Sequence, residues 1–178
     1  MGRTPGSLPL AERFGGSGVY ALFYDGDYEP YAPLCSSDAT HPIYVGKAVP
    51  PGARKGAVAP DELAPALHGR IQEHANSLEA AGNLSVADFA CRYLVVVPLW
   101  ITMAERFLIE RYQPCWNVCI EGFGLHDPGK GRLGALRPWW DTLHPGRPWA
   151  ARLQPRDQAE ARARLRAFTA PGTTPGTP

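Results

Sequence analysis

One carboxylate stands out in this sequence because it interrupts an apolar helical stripe. The segment Leu99–Tyr112 has helical periodicity, and at 100° per residue Glu105 lies within about 60° of Ile101 and Leu108. Burying an unpaired carboxylate costs several kcal/mol, so such a residue usually has a partner, binds a metal or has a chemical role. Two interpretations stay open at this point: a functional carboxylate, or a glutamate at the core edge bridged to an arginine.

A basic pair with helical spacing lies further towards the N-terminus. Arg70 and His74 are four residues apart, so their side chains are neighbours on one helix face, opposite the apolar residues Leu67 and Ile71. An arginine can grip a phosphate with two parallel hydrogen bonds, and a histidine can transfer protons near neutral pH. The structural alternative is a solvated helix face.

Two tyrosines, Tyr20 and Tyr44, each lie in an apolar strand-like segment with a glycine close by. Most strand tyrosines are core residues with a hydrogen-bonded hydroxyl, so each tyrosine taken alone predicts packing rather than chemistry.

The surrounding elements are expected to bring these residues together. Apolar, β-rich runs bounded by turn residues predict strands, and helical periodicity ended by proline predicts helices. The predicted order is strand 18–24, strand 42–47, helix 63–81 (starting near Ala66 because of Pro65), strand 91–97, helix 99–112 and helix 157–168. Three strands with two helices favour a small sheet covered by helices, an α+β layered domain.

The charge of the chain is balanced overall but uneven along its length. The 178 residues carry 18 Lys and Arg against 17 Asp and Glu, a formal net charge of +1, which gives no bulk attraction to nucleic acid. From Lys130 onward, however, nine basic residues face three acidic ones, whereas residues 1–129 carry nine against fourteen. A basic C-terminal third therefore follows a mildly acidic remainder, and this distribution allows DNA binding.

No apolar run approaches the ~18 residues of a membrane span, and residues 1–17 lack the apolar core of a secretory signal. We therefore expect a cytoplasmic protein without a membrane partner.

Taken in order, these residues resemble the motifs of the GIY-YIG nuclease superfamily. Gly18-Val19-Tyr20 corresponds to the first triplet and Tyr44-Val45-Gly46 to the second, with valine for isoleucine in both. Arg70 and His74 follow on a helix, and Glu105 precedes Asn117 by twelve residues. The resemblance covers residues 18–120 and implies a mainly antiparallel three-stranded sheet flanked by helices.

Further features are similar to a branch of type II restriction endonucleases that cut a palindrome of only G and C, of the CCGCGG type. His74 stands where the superfamily commonly has tyrosine, and the segments 47–52, 122–132 and 143–150 are similar to that branch. The resemblance implies double-stranded DNA as substrate, a homodimer when bound to DNA, and a cognate DNA methyltransferase as functional companion.

The resemblance also implies roles in phosphodiester hydrolysis. Glu105 would bind Mg²⁺, for which Mn²⁺ can substitute, and Arg70 would grip the scissile phosphate. Tyr20 would orient or deprotonate the attacking water as a phenolate favoured by Arg70 and the metal, with His74 relaying the proton. Supporting roles fall to Tyr44, Lys47 and Asn117.

We expect residues outside this catalytic core to recognise the DNA sequence. The contact from arginine to guanine is the commonest specific base contact, and it suits a site of only G and C. The expected DNA-binding residues are Arg54, Lys55, His126, Lys130, Arg132, Arg137 and Arg147. The alternative is that these residues contact phosphate only, or that residues 122–148 serve packing.

The expected organisation is a flexible N-terminal arm (1–17), a catalytic core (18–120), DNA-binding loops with a C-terminal helix (121–168) and a disordered tail (169–178). Two other functions stay open: a homing, repair or structure-specific nuclease of the same superfamily, and a non-catalytic nucleic-acid-binding module.

Overall fold

The structure is a computed structural model that describes residues 5–50, 64–127, 129 and 134–170. Four antiparallel strands form one sheet in the order β1-β4-β2-β3: β1 (Gly6–Ser7), β2 (Gly18–Tyr24), β3 (Tyr44–Ala48) and β4 (Phe89–Val95). The helices are α1 (Ala66–Ala80), α2 (Pro98–Tyr112), α3 (Cys115–Val118), α4 (Trp139–Leu143), α5 (Pro148–Ala151) and α6 (Gln158–Thr169). Short 3₁₀ helices span Glu29–Leu34 and Val86–Asp88. None of the helices described here is long and apolar enough to cross a bilayer.

The central strand β2 is buried along its whole length because helices cover both faces of the sheet. Tyr20 on β2 lies opposite Gly46 on β3 and Tyr93 on β4. The Tyr20 side chain belongs to the core on the α1 side of the sheet. Phe23, on the opposite face of β2, packs with Leu108 of α2. The α+β layered fold expected from the sequence is confirmed, with helices on both faces of a small antiparallel sheet.

The N-terminal arm differs from its prediction. Residues 1–17 were expected to be flexible, but Gly6 and Ser7 pair with Cys91 and Ala90 and add a fourth strand to the sheet. Phe14 stacks on Tyr93 with ring centroids 4.2 Å apart. The prediction was wrong for the described part of the arm because glycine and serine carry no strand signal, and only the free edge of β4 recruits them.

Residues 134–170 pack against the core more extensively than their glycine and proline content indicates. Trp140 and Leu143 of α4 are fully buried, and Leu165 of α6 joins the same core. The alternative that residues 122–148 serve packing therefore holds for the described part of that stretch. Thr169, expected to begin the disordered tail, is the last residue of α6, and residues 171–178 lie outside the described residues.

Candidate active site

Several of the predicted catalytic side chains meet in one cleft of about 760 Å³. Helices α1 and α2 pack on opposite faces of the sheet, yet both contribute to its lining. The cleft must therefore lie beyond the edge strand β3, where the two layers come together. Its charged and hydrogen-bonding side chains are Tyr44, Lys47, Arg70, Glu73, Glu105 and His126.

Glu105 forms an ion pair at the mouth of this cleft. The Lys47 Nζ atom lies 2.7 Å from Glu105 Oε2 and also donates a hydrogen bond to the Thr102 hydroxyl at 3.3 Å. The two charged side chains are 29% and 21% exposed. The partner of Glu105 is thus a lysine rather than the arginine considered above, and its carboxylate stays accessible from the cleft.

The guanidinium of Arg70 is held by groups from two elements. It donates to Glu73 Oε2 at 2.8 Å and to the carbonyl oxygen of Gly124 at 2.5 Å, and it also contacts the ring of His126. The Arg70 side chain is only 18% exposed. Arg70 is therefore an oriented, partly buried cation, and the interpretation of a solvated helix face is wrong for it.

Tyr20 and His74 form a buried hydrogen-bonded pair behind the cleft. The Tyr20 hydroxyl and His74 Nε2 are 2.5 Å apart, and both side chains are almost completely buried. Burial raises the pKa of Tyr20 well above its ordinary value, and burial lowers the pKa of His74 well below its ordinary value. Both groups are consequently neutral at physiological pH, and the hydrogen bond joins a neutral phenol to a neutral imidazole.

Desolvation of the phenolate is the largest effect on the pKa of Tyr20, and Arg70 lowers that pKa, which is the direction expected of it. The role of Tyr20 as a phenolate stays a prediction. Tyr44, unlike Tyr20, lines the cleft. Gly46, two residues after Tyr44, leaves no room for a side chain, because a Cβ atom there would lie 2.3 Å from the Tyr20 hydroxyl oxygen.

Asn117 clamps the second motif strand from a distant part of the sequence. Its Oδ1 atom accepts a hydrogen bond from the Val45 amide, and its Nδ2 atom donates to the Val45 carbonyl, both at 2.8 Å. As an edge strand of the described sheet, β3 has one side without a strand partner. Asn117 supplies the two hydrogen bonds that a further strand would give, and so fixes the position of Tyr44 and Lys47.

We expect Asn117→Ala to destabilise the fold by about 1–3 kcal/mol, because it leaves a part-buried backbone amide and carbonyl without these partners. Urea denaturation followed by circular dichroism measures the loss. Asn76→Ala, on the outer part of α1, is the control and should change stability by less than about 0.5 kcal/mol. Equal stability of the Asn117 variant and the wild type would show that β3 is held by its strand pairing alone.

The predicted DNA-binding residues differ in exposure and in their contacts. Arg147 is only 5% exposed, and its guanidinium is fully engaged by protein acceptors, so the prediction that it contacts DNA is wrong in this structure. Arg137 is half-buried and donates to the carbonyl of Ala150, while His126 lies in the cleft against Arg70. The remaining four residues, Arg54, Lys55, Lys130 and Arg132, lie outside the described residues.

Sequence reasoning missed several residues of the site. Glu73 follows Arg70 by three residues, so helical spacing could have identified it as a partner. The carbonyl of Gly124 and the ring of Phe123, which stacks on His74, carry no such signal. Their contribution depends on the path of a loop that returns to α1 from about fifty residues further along the chain.

Comparison with known proteins agrees with this geometry. A family model described as the Eco29kI GIY-YIG domain matches residues 12–168, a span that includes both motif strands, the cleft and the C-terminal packing elements. No curated protein matches the chain. The resemblance to the GIY-YIG superfamily is thus confirmed, and the chain belongs to the Eco29kI GIY-YIG domain family of restriction-type nucleases.

Proposed function

We propose that this protein is a type II restriction endonuclease that hydrolyses double-stranded DNA at a short GC-rich palindrome of the CCGCGG type. The observation that carries the proposal is the cleft in which an oriented cation, Arg70, and an accessible carboxylate, Glu105, come together from opposite layers of the fold. Phosphodiester hydrolysis needs charge stabilisation on the phosphoryl oxygens and on the leaving oxygen. The GC palindrome rests on the sequence similarity of residues 47–52, 122–132 and 143–150 to that branch of enzymes.

Glu105 fits a hard divalent cation such as Mg²⁺, with Mn²⁺ as a substitute. The described residues contain no group of three or more His, Cys, Asp or Glu that could hold a metal. Mg²⁺ does not need such a group, because it keeps several waters and binds through one or two carboxylates and substrate phosphates. Glu105 would hold the ion, and Lys47 would then exchange its partner. When bound, the metal stabilises charge on the phosphate and on the leaving 3′ oxygen.

The other cleft residues have separable roles in this proposal. Arg70 binds the non-bridging oxygens of the scissile phosphate, since its guanidinium is permanently charged and already oriented. Tyr44 orients the attacking water because its side chain lines the cleft. The neutral pair of Tyr20 and His74 lies behind Tyr44 and fixes its surroundings, with the ring centroids of Tyr44 and His74 5.2 Å apart. Lys47 supplies a second positive charge at the cleft mouth.

Digestion of plasmid and phage DNA tests the proposed function. With Mg²⁺ we expect discrete fragments whose mapped ends share a GC palindrome, and with a chelator we expect no cleavage. Cleavage confined to branched or nicked substrates would favour a repair or structure-specific nuclease. DNA binding without any cleavage would favour the non-catalytic module.

A palindromic target implies two copies of the protein related by a two-fold axis, and α2 offers a surface for that contact. The exposed surface of α2 includes four apolar side chains that are between 52% and 78% exposed: Leu99, Trp100, Met103 and Phe107. The exposed residues Leu94 and Val97, which precede the helix, add to this apolar surface. Soluble monomers rarely leave so large an apolar patch uncovered.

A second copy suits this surface better than the segment 51–63, whose sequence has only Val58 and Leu63 as large aliphatic side chains. The direction of the surface also suits a dimer on DNA. The outer surface of α2 points away from the sheet, whereas the cleft lies beyond the β3 edge. A two-fold axis within the α2 interface can therefore leave both clefts on the same side of the dimer, facing one duplex.

We expect the double variant Trp100→Glu/Phe107→Glu to be a 19.3 kDa monomer, because four buried carboxylates in the dimer would be unpaired. Light scattering after gel filtration, with and without a palindromic duplex, compares it with the wild type, which we expect to form a dimer on DNA. Leu136→Glu changes an exposed leucine outside α2 and is the control. A double variant that still dimerises, or a wild type that binds the duplex as a monomer, contradicts the assignment.

A further inference from the structure

One loop touches most of the candidate catalytic side chains of α1 and β3. This active-site loop, Gly122–His126, gives the Gly124 carbonyl to Arg70 and stacks the ring of Phe123 on the imidazole of His74, with centroids 4.4 Å apart and an interplanar angle of 21°. Its backbone approaches Tyr44 so closely that a Cβ atom at Gly124 would lie 2.4 Å from the tyrosine hydroxyl. The position of this loop therefore decides the orientation of Arg70.

The loop has no helix or strand of its own, and its backbone is held instead by the buried guanidinium of Arg147. Nη2 donates to the carbonyl of Gly122 at 3.0 Å, and Nη1 donates to those of Phe123 and Leu125 at 2.9 and 3.1 Å. One side chain thus binds three carbonyls of the loop and leaves the carbonyl of Gly124, between them, for Arg70.

Arg147 is itself fixed from the other side. Its Nε and Nη2 atoms form a two-pronged contact with both carboxylate oxygens of Asp141, at 2.7 and 2.5 Å. The guanidinium lies between the rings of Trp140 and Trp149, 4.6 and 4.7 Å from their centroids. Five donated hydrogen bonds match the five N–H groups of the guanidinium, and no other side chain could satisfy this arrangement.

We propose that Arg147, held by Asp141, is a positioning residue for phosphodiester hydrolysis. Arg147 does not line the cleft, so it acts through the active-site loop: it holds the loop where the Gly124 carbonyl orients Arg70 and Phe123 packs on His74. The inference rests on the proposed function for its effect on catalysis. The loop geometry on which it depends can be tested without any cleavage.

Arg147→Lys is the main variant because it keeps the positive charge but cannot make the five-donor contact. We expect kcat for DNA cleavage to fall by about 10²-fold, since a displacement of about 1 Å at a reacting centre has this effect. KM for DNA should stay close to the wild-type value, because Arg147 makes no contact that holds substrate. A rise in KM with an unchanged kcat would overturn the proposal and make Arg147 a binding residue.

The second measurement is an NMR titration of the His74 imidazole, which needs no DNA. Arg70, Arg147 and His126 all lower the pKa of His74 by their charge, and the lysine variant preserves the charge at residue 147. If the loop loosens, Phe123 leaves His74, water enters, and the pKa of His74 moves back towards its ordinary value. An unchanged His74 titration together with an unchanged kcat in folded Arg147→Lys would overturn the proposal.

Two further variants separate positioning from general stability. Asp141→Asn keeps the shape of the contact with Arg147 but removes the negative charge, and it should also lower kcat. This variant tests the proposal if Arg147→Lys does not fold. Asn83→Ala removes two part-buried hydrogen bonds, one from His144 Nδ1 and one to the Leu143 carbonyl at the end of α4. Neither involves the active-site loop. Below its unfolding temperature this control should have a wild-type kcat. A loss of kcat as large as that of Arg147→Lys would show that any disturbance of α4 has the same effect, and would overturn the assignment.

Discussion

Glu105→Ala should lower the rate of DNA cleavage by about 10³-fold or more while DNA binding persists. A metal that stabilises the phosphoryl and leaving oxygens contributes several kcal/mol to the barrier, and each factor of ten in rate corresponds to about 1.4 kcal/mol. Glu105 is the only carboxylate from α2 in the cleft, and Glu73, across from it, is engaged with Arg70. Single-turnover cleavage measures the rate, and an electrophoretic mobility shift in Ca²⁺ measures binding.

Two controls make this result specific. Glu79→Ala removes an exposed carboxylate at the far end of α1 and should cut at the wild-type rate. The stability of Glu105→Ala should be within about 1 kcal/mol of the wild type, because a partly exposed ion pair such as that with Lys47 contributes little. Nicking by Glu105→Ala at a near-wild-type rate would contradict the assignment of Glu105 as the metal ligand.

Arg70→Lys should lower the cleavage rate by about 10²-fold even though the positive charge is kept. The guanidinium of Arg70 contacts Glu73, the Gly124 carbonyl and His126 while facing the cleft, and a single ammonium cannot keep this orientation and also bind a phosphate. Loss of one donor to a developing oxyanion typically has an effect of this size. Single-turnover rates at saturating enzyme separate this step from DNA binding.

The matched control for Arg70 is Arg13→Lys, the same substitution at an exposed residue of the N-terminal segment. It should leave the rate unchanged. If Arg70→Lys cleaves as fast as the wild type, the role of Arg70 is that of a simple positive charge, and the two-pronged phosphate contact is not used.

Local patterns predicted the parts of the structure that local forces build. Strand β2 was predicted at 18–24 and spans those residues, while the predicted helix 63–81 begins at Ala66, after Pro65, and ends at Ala80. Spacing alone also placed Arg70 on α1 and Glu105 on α2. The prediction that these two residues meet in one site depended on the family resemblance. Periodicity shows which face of a helix a residue lies on, but not what packs against that face.

The incorrect predictions concern residues whose surroundings come from distant parts of the chain. Arg147 looks like any surface arginine in the sequence, and its burial follows from contacts with residues 122–125 and with Trp140. The pKa of Tyr20 also depends on distant parts of the chain. A nearby positive charge was foreseen, but the extent of burial, which dominates its pKa, depends on how several elements pack together.

The hydrogen bonds from Arg147 to the active-site loop affect when the protein becomes active during its synthesis. Tyr20, Tyr44, Arg70 and Glu105 leave the ribosome well before residue 147, and domains assemble as their last contacting segment emerges. A nascent chain that ends before Arg147 has every side chain proposed for catalysis but lacks the contacts that orient Arg70. DNA cleavage would therefore begin only after residue 147 has emerged, so shorter chains released by a stalled ribosome would pose little danger to the genome of the cell.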